Sequence, residues 1–578
     1  MAAIDDLRSL FSERQAVYAQ DHIDMDKLVQ VYFGALPAEF ADLFHPEMHV
    51  HIVNMIRLAW DDLAAMAGKV FPIYVEPDND SATARQRAEK QEKIGYGYNE
   101  AGRQAGGISM DMLMKVISWW LVGTGNAVFM VLPSYKVQSP FFTFRDPRTY
   151  FPPIGWTPFT QADATDALFA YPIPVGELKA RYPERADEIS RRITRIYNLG
   201  GPTTGSVGTE DVEVVWLAEY YHEDSWIVAV IEDRYLILER SDTGDSGHPG
   251  IVPVVPVSLY TPNAAKGRSL FADQVSIQAA ISRMFSQKLE FYDRTLYPII
   301  FHTPLAGKTI RIGPYATNEY SVDEGITPRM DVVAPAQNVD ADQTMAFAIG
   351  LSRMLNRNPE SFQGFGQADS AKALAELKAA VGQTVEEILW PPLLEGLPRL
   401  YSKAAHMDVR LWGNVQKRAT GRRKNAAFSV TYRPNVDLRG REDDFRVEAG
   451  VGLAGYLGKL EIMQLVGAEM MSEDTALEQL PDIRNPQEEK RRIQGMRVEK
   501  LMFADLTGKA GMGVLVPGAL AEIRRRVLRG GEDLFDVIEQ LEREGRLYAV
   551  PQQAPGASAQ PGPEEAGPPP LALLRGGF

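Results

Sequence analysis

The chain contains no cysteine. That excludes a disulfide framework and any thiolate-bound metal. Histidine is scarce, with eight in 578 residues, and none falls in an HExxH pattern, which argues against a metallohydrolase. His45, His49 and His51 cluster, yet no carboxylate or fourth ligand stands at a fixed spacing from them. Pro46 among them reads as a break at a helix start. Positive charge is also short: 61 Lys and Arg face 76 Asp and Glu, a formal net charge of -15. Proteins that coat nucleic acid need a basic surface, so that class is excluded. A surface that lets a duplex slide past without gripping it is not. Long apolar runs are missing as well. Val116–Leu132 carries no charge, but Gly123-Thr124-Gly125-Asn126 interrupts it with turn chemistry. It reads as helix, turn and strand, not as a membrane span, which needs about 18 or more apolar residues. Met1–Gln20 is charged and amphipathic and lacks the apolar core of a signal peptide.

Catalytic constellations are absent too. There is no G-x-S-x-G elbow. The acidic pairs Asp61-Asp62, Glu386-Glu387 and Asp443-Asp444 are adjacent in sequence, so their side chains point apart and cannot share a proton. Gly307-Lys308-Thr309 resembles the end of a phosphate-binding loop, but His302 stands where the first glycine is needed. Gly364 and Gly366 form a GxG pair that no strand precedes. No catalytic residue, metal or cofactor is assigned. In a chain of this size, that points to a structural part.

What is present is organised around Ser269–Asp408. The length permits roughly three to five domains, and this stretch reads as helix, mixed segment, helix, Gly-rich loop and kinked helix. In the first helix Ile277, Ile281, Phe285, Leu289 and Tyr292 form one stripe. Gln274, Gln278, Ser282, Gln287, Lys288 and Glu290 fill the remaining surface, Ser269 can cap the start, and Pro298 stops the end. A rod over Ser269–Tyr297 would span roughly 40 Å, with a stripe suited to packing against further copies. The second helix, Ala341–Asn356, carries Met345, Ile349 and Leu355. The third has Leu374, Leu377, Val381, Val385 and Ile388 on one face until Pro391-Pro392 breaks it.

Around this core the spacing predicts helices near Ile52–Met66, Gly107–Trp120, Ala170–Tyr197 and Glu442–Gly467. It predicts a strand over Ala127–Pro133, a hairpin of Val212–Tyr221 with Trp226–Leu238, and a proline-marked edge strand at Ile251–Leu259. Trp412–Asn425 reads as a basic loop with Lys417, Arg418, Arg422, Arg423 and Lys424. It either meets phosphate or an acidic partner or is simply solvated. Asn485-Pro486-Gln487-Glu488 combines a cap with proline at the first helical position. Pro517–Gly530 and Glu532–Gly545 form a terminal helical pair. The Pro-, Gly- and Ala-rich stretch after Pro551 is expected to be a disordered tail.

The order of these elements resembles the portal proteins of tailed double-stranded DNA bacteriophages, in the long-tailed group. Four stretches carry the likeness, spread over roughly residues 30–500. They are the strand Ile251–Val257 leading to Lys266-Gly267-Arg268-Ser269, the helix order of 269–408, Met471–Ala476 followed by Asn485–Glu489, and the step from Trp119 to Leu132. The resemblance implies a mixed α/β, mostly helical portal fold closed into a dodecameric ring around a channel. Its parts would be an N-terminal wing (1–260), first stem helix (261–298), clip (299–338), second stem helix (339–356), tunnel loop (357–370), kinked wing helix and strand (371–460), helical crown (461–550) and tail (551–578). The DNA-facing loop would comprise Arg357, Ser361, Phe362, Gln363, Gly364, Phe365, Gly366 and Gln367, with Lys372 at its flank. With only Arg357 and Lys372 as cations it would touch duplex DNA without sequence preference. Lys308, Arg311, Tyr315 and Arg329 would lie on the clip, which meets the terminase large subunit and later the head–tail adaptor. Major capsid and scaffolding proteins would be further partners. The setting would be the virion's portal vertex, with the host cytoplasm during assembly, and no membrane. Another virion part, such as a minor head or connector protein, remains the alternative, and an enzyme acting on nucleic acid stands behind it.

Overall fold

The structure, a computed structural model, describes residues 2–45, 48–79, 81–157, 164–193, 197–198, 213–241, 248–259, 266–296, 299–302, 330–333, 343–350, 385–423, 426–448, 466, 486–512, 514–516, 518–530 and 534–548. They divide between two units, Met1–Leu460 and Glu461–Phe578.

The first unit begins with α1 (Ala2–Tyr32), whose Leu7, Phe11 and Tyr18 are buried. Phe11 meets Phe151 edge-on at 5.3 Å. Arg14 forks onto Asp166 at 2.7 and 2.9 Å, a two-bond geometry that fixes how the helix lies. Asn54 caps α2 (Met55–Ala67) by accepting from the Arg57 N–H, and its amide donates back to the carbonyls of Val31 and Tyr32. After β1 (Ile73–Val75) come α3 (Ala82–Gln104) and α4 (Met110–Thr124), capped by Ser81 and Ser109. Gly125, in the left-handed conformation at φ +77°, ends α4, and β2 (Asn126–Ser134) follows at once. The uncharged run is thus helix, turn and strand, as its Gly-Thr-Gly-Asn predicted. β2 is the middle of an antiparallel sheet, between β3 (Ser139–Arg145) and β10 (Val254–Ser258). That places β10 at an edge, where its proline costs no ladder bond.

A second sheet holds β4 (Tyr150–Phe151), β5 (Asp166–Pro174), β6 (Tyr197–Asn198), β7 (Glu213–His222), β8 (Ser225–Val230) and β9 (Tyr235–Ser241). Its order is β4-β5-β7-β8-β9, with β6 on β7, all antiparallel. The single helix expected over Ala170–Tyr197 is corrected here. Pro172 and Pro174 belong to β5, and Pro183 splits what remains into α5 (Val175–Arg181) and α6 (Ala186–Arg192). The expected hairpin is a three-strand meander, because the chain turns again at Arg234, whose φ is 49°.

Residues Ala272–Gln274 form a 3-10 turn leading into α7 (Val275–Leu296). β11 (Ile299–His302) then pairs with β12 (Met330–Val333), Ile299 opposite Val333. Residues 343–350 are helical, inside the span predicted for the second rod. Val385–Leu389 is a π-helical turn, and α8 (Trp390–Trp412) carries Pro391 and Pro392 in its first turn, where their missing N–H groups cost least. The break therefore falls before the prolines. α8 packs on β10, β2 and β3.

Two expectations fail further on. Trp412–Asn425 is not a loop: β13 (Lys417–Arg423) and β14 (Ala426–Tyr432) form a hairpin. The helix predicted from Glu442 is instead β15 (Phe445–Val447) in its described part, paired with β1. Phe445 is fully buried against Tyr401, so a long-range contact overrides the local helical spacing.

The second unit contains α9 (Pro486–Gly511), α10 (Ala519–Gly530) and α11 (Leu534–Arg543). α9 opens at Pro486 as the cap pattern predicted, and the terminal pair falls where expected. Leu506, Ile523, Val537, Leu541 and Leu547 form its core.

Candidate functional site

α7 carries the one set of predicted site residues that lies among the described residues, and two quite different anchors hold it. The first is at its root. Gly123, Gly125 and Gly267 let the turn at 266–269 lie directly on the end of α4. A Cβ at Gly125 would sit 2.5 Å from the Arg268 carbonyl carbon, one at Gly267 would overlap the Gly125 carbonyl, and one at Gly123 would overlap the Trp60 indole. Asn126 then ties the turn down. Its Oδ1 accepts from the Gly267 N–H at 2.7 Å and from Ser258 Oγ at 3.0 Å, and its Nδ2 donates to the Gly267 carbonyl at 2.8 Å. Ser269 does not cap α7, as the sequence reading had it. Its hydroxyl donates to the Gly123 carbonyl at 2.6 Å and accepts from the Phe271 N–H at 3.0 Å. The two short motifs Gly123–Asn126 and Lys266–Ser269 are thus one clasp. Gly123→Ala is expected to cost about 3 kcal/mol or more, since Trp60 is fully buried beside Trp119 and Phe271 and has nowhere to move. Chemical denaturation followed by tryptophan fluorescence will measure it.

Lys266, in the same clasp, is buried, and among the described residues no carboxylate pairs with it. Its ammonium group meets His22 Nε2 and stands 5.5 Å from the Tyr18 ring and 5.9 Å from the Phe151 ring. Burial pushes the Lys266 amine down to about 7, against a partial pull upward from Asp21 and Asp146. Burial and the neighbouring Lys266 together push His22 down to about 3.

The second anchor runs along the inner side of α7, and it is polar. The His51 N–H donates to Ser286 Oγ at 2.8 Å, the Val53 N–H to Ser282 Oγ at 3.1 Å, and the Ile56 N–H to Gln278 Oε1 at 3.1 Å. Gln274, Gln278, Ser282 and Ser286 are all buried. This corrects the reading that put Gln274, Gln278 and Ser282 on the outer surface. The stripe named for subunit packing divides. Ile281 is buried, Ile277 and Leu289 are half-buried, and Phe285 and Tyr292 are 36% and 49% exposed. Lys288 Nζ lies 5.8 Å from the Tyr292 ring, and His51 meets Phe285 edge-on at 6.5 Å.

Of the basic residues in β13, Lys417 turns inward and does not face a phosphate. It pairs with Asp408, which also accepts from the hydroxyls of Tyr98 and Tyr432, both at 2.9 Å. Trp412 lies against the same ammonium, 4.3 Å from ring centre to Nζ. Burial raises the Asp408 carboxyl above its ordinary range and lowers the Lys417 amine; the ion pair opposes both shifts, and the two hydroxyls oppose that of Asp408. Sequence reasoning missed Asp408. Its signal was a lone carboxylate on the Leu400, Ala404, Asp408, Trp412 stripe, four residues apart on the buried face of α8. A second buried carboxylate, Glu219, likewise went unnoticed; it accepts from Arg145 and from the hydroxyls of Tyr171 and Tyr221.

The predicted loop residues Arg357, Ser361–Gln367 and Lys372, and the clip residues Lys308, Arg311, Tyr315 and Arg329, lie outside the described residues. Among the described residues, no group of three or more His, Asp or Glu side chains could hold a metal, and no helix is long and apolar enough to cross a membrane.

The sequence matches no protein-family model and no curated protein. The fold is mixed α/β, and the solved structures similar to it include two that follow. One is a chain in the neck of a native GTA particle computed with C12 symmetry, at 11% sequence identity and a TM-score of 0.37, covering 77% of this chain and 94% of that chain. The other is a chain in the neck of an empty GTA particle computed with C6 symmetry, at 12% identity and a TM-score of 0.36, covering 77% of this chain and 93% of that one.

Proposed function

We propose that this chain is a portal-type subunit of a head–tail connector. Copies would close into a ring at one capsid vertex, through which duplex DNA passes during packaging and ejection. The observation that carries the reading is the two-sidedness of α7. On its polar side Gln278, Ser282 and Ser286 already accept backbone N–H groups of its own unit, while Phe285 and Tyr292 are left outward. A neighbouring copy that covered them would gain about 2 kcal/mol from each ring, and a head-to-tail contact repeated by rotation closes into an annulus. The pairing of β11 with β12 fits the same reading. It returns the chain to its point of departure, as an appendage for docking a motor and then an adaptor would require. In this role the chain hydrolyses nothing; a separate terminase large subunit supplies the work. The net charge of -15 keeps the channel from holding DNA by phosphate neutralisation.

Negative-stain images of the purified chain test the proposal. Rings with a central hole are expected, of twelve subunits by mass. Phe285→Asp with Tyr292→Asp should leave the circular dichroism unchanged and shift the particles to monomers. Wild-type protein that stays monomeric at high concentration would overturn the reading.

A further inference from the structure

α8 has two sides of opposite character. Leu393, Leu397, Leu400, Ala404 and Met407 are buried in the core of the first unit. Arg399, Ser402, Lys403, His406 and Arg410 recur at steps of three and four, so they share another side of the helix. Arg399, Ser402, Lys403 and His406 floor a groove of about 900 Å³. Its walls are Glu223 in the turn between β7 and β8, the backbone at Gly250, and Asp443 and Arg446 at β15. Arg410 fills the space that a side chain at Gly250 would need, which brings a further cation to the rim.

In a chain of net charge -15, this floor is cationic. Arg446 Nη1 donates to the carbonyls of Asp443 and Phe445 at 2.8 and 3.0 Å, and Arg399 Nε to that of Glu395 at 3.1 Å. A carbonyl positions a guanidinium without cancelling its charge. The walls add acceptors: Glu223 is exposed, and Asp443 Oδ1 lies 3.2 Å from His406 Nε2. A phosphodiester backbone carries acceptors and no donor, so these two carboxylates repel it. A peptide carries an N–H at nearly every residue, which they can accept. Among the described residues no Phe, Tyr or Trp lines the groove to stack a base. The spacing also suits a peptide. Arg399 and Lys403 are about 6 Å apart along α8, and alternate side chains of an extended strand are about 6.6 Å apart. A third carboxylate in that series, at about 13 Å, falls between His406 and Arg410.

We infer that this groove docks an extended acidic segment of a partner protein. Carboxylates at alternate positions lie over Arg399 and Lys403, and backbone N–H groups of the segment turn to Glu223 and Asp443. Charge pairs of this kind set partner choice and encounter rate more than raw tightness. Lys403, buried on the floor, gives the central carboxylate a partly desolvated partner. The groove is built within one chain, so the inference stands whether or not copies form a ring.

Fluorescence anisotropy of a labelled octapeptide of alternating glutamate and serine tests this on the full chain. The double variant Arg399→Ala, Arg446→Ala should bind it about tenfold more weakly or worse. Arg283→Ala removes an exposed cation of α7 instead, and should change the affinity by less than about twofold. The inference fails if the wild-type chain leaves the peptide unbound at about 1 mM, or if Arg283→Ala weakens binding as much as the double variant. It also fails if an oligothymidylate of equal charge displaces the peptide at an equal or lower concentration, which would make the groove a phosphodiester site. Should circular dichroism show that the double variant is misfolded, Arg446→Ala alone, at an exposed position, carries the comparison with an expected loss of about threefold.

Discussion

Asp408→Ala will destabilise the first unit by about 3–5 kcal/mol, the cost of leaving one partner of a buried ion pair alone. The carboxylate is fully buried and is the shared acceptor of Lys417, Tyr98 and Tyr432. Removing it strands a cation and two hydroxyls that come from three separate elements, α3, β13 and β14. Lys417→Met on its own strands the carboxylate, and a loss of the same order follows. The double variant Asp408→Ala, Lys417→Met should recover much of the loss, because it removes both charges together. Urea unfolding followed by tryptophan fluorescence, to which Trp412 against the Lys417 ammonium contributes, will report all three. Additive losses in the double variant would show that the pair is not coupled.

Lys266→Met will stabilise the protein, by an amount that depends on pH. The amine is held down to about 7 from 10.5 in the folded chain. Between those values the unfolded chain holds a proton that the folded chain has released, so stability rises with pH across this window. Below it the full cost remains, on the order of 5 kcal/mol. His22 adds in the same sense lower down. Held to about 3, it makes stability fall as pH drops from about 6.5 toward 3. The variant should therefore melt well above wild type at pH 6 and flatten the rise between pH 7 and 10. Asp21, Asp146, Tyr18 and Arg148 surround the same site; the Asp21 carboxyl, raised by burial, loses the opposing pull of the ammonium in the variant. Equal melting temperatures at pH 6 would mean that the ammonium is not desolvated as described.

Much of this fold could be read from local chemistry. Gly-Thr-Gly-Asn marked the step from α4 to β2, proline marked β10 as an edge, and Asn485-Pro486 marked the start of α9. These features act within a few residues of themselves, so a sequence window contains them. The failures share a cause. β15 forms because a strand some 370 residues earlier (β1) offers it a partner, and no window around Phe445 includes that strand. The inner stripe of α7 was misplaced because burial normally selects apolar side chains. Here the segment that covers it presents backbone N–H groups, and serine and glutamine are the residues that answer them. The basic cluster of β13 was likewise legible as charge but not as direction, since Lys417 turns inward toward a carboxylate on another element.

The pairing of β11 with β12 has one more consequence. Its four rungs bring residues 302 and 330 face to face, so whatever the 27 intervening residues do, both of their ends are fixed to one short ladder. Closing a longer or shorter segment on that ladder changes the entropy only slowly with length. A segment of another length between residues 302 and 330 would therefore close on the same four rungs at little extra entropic cost, and the ladder would stay as the fixed base beneath it.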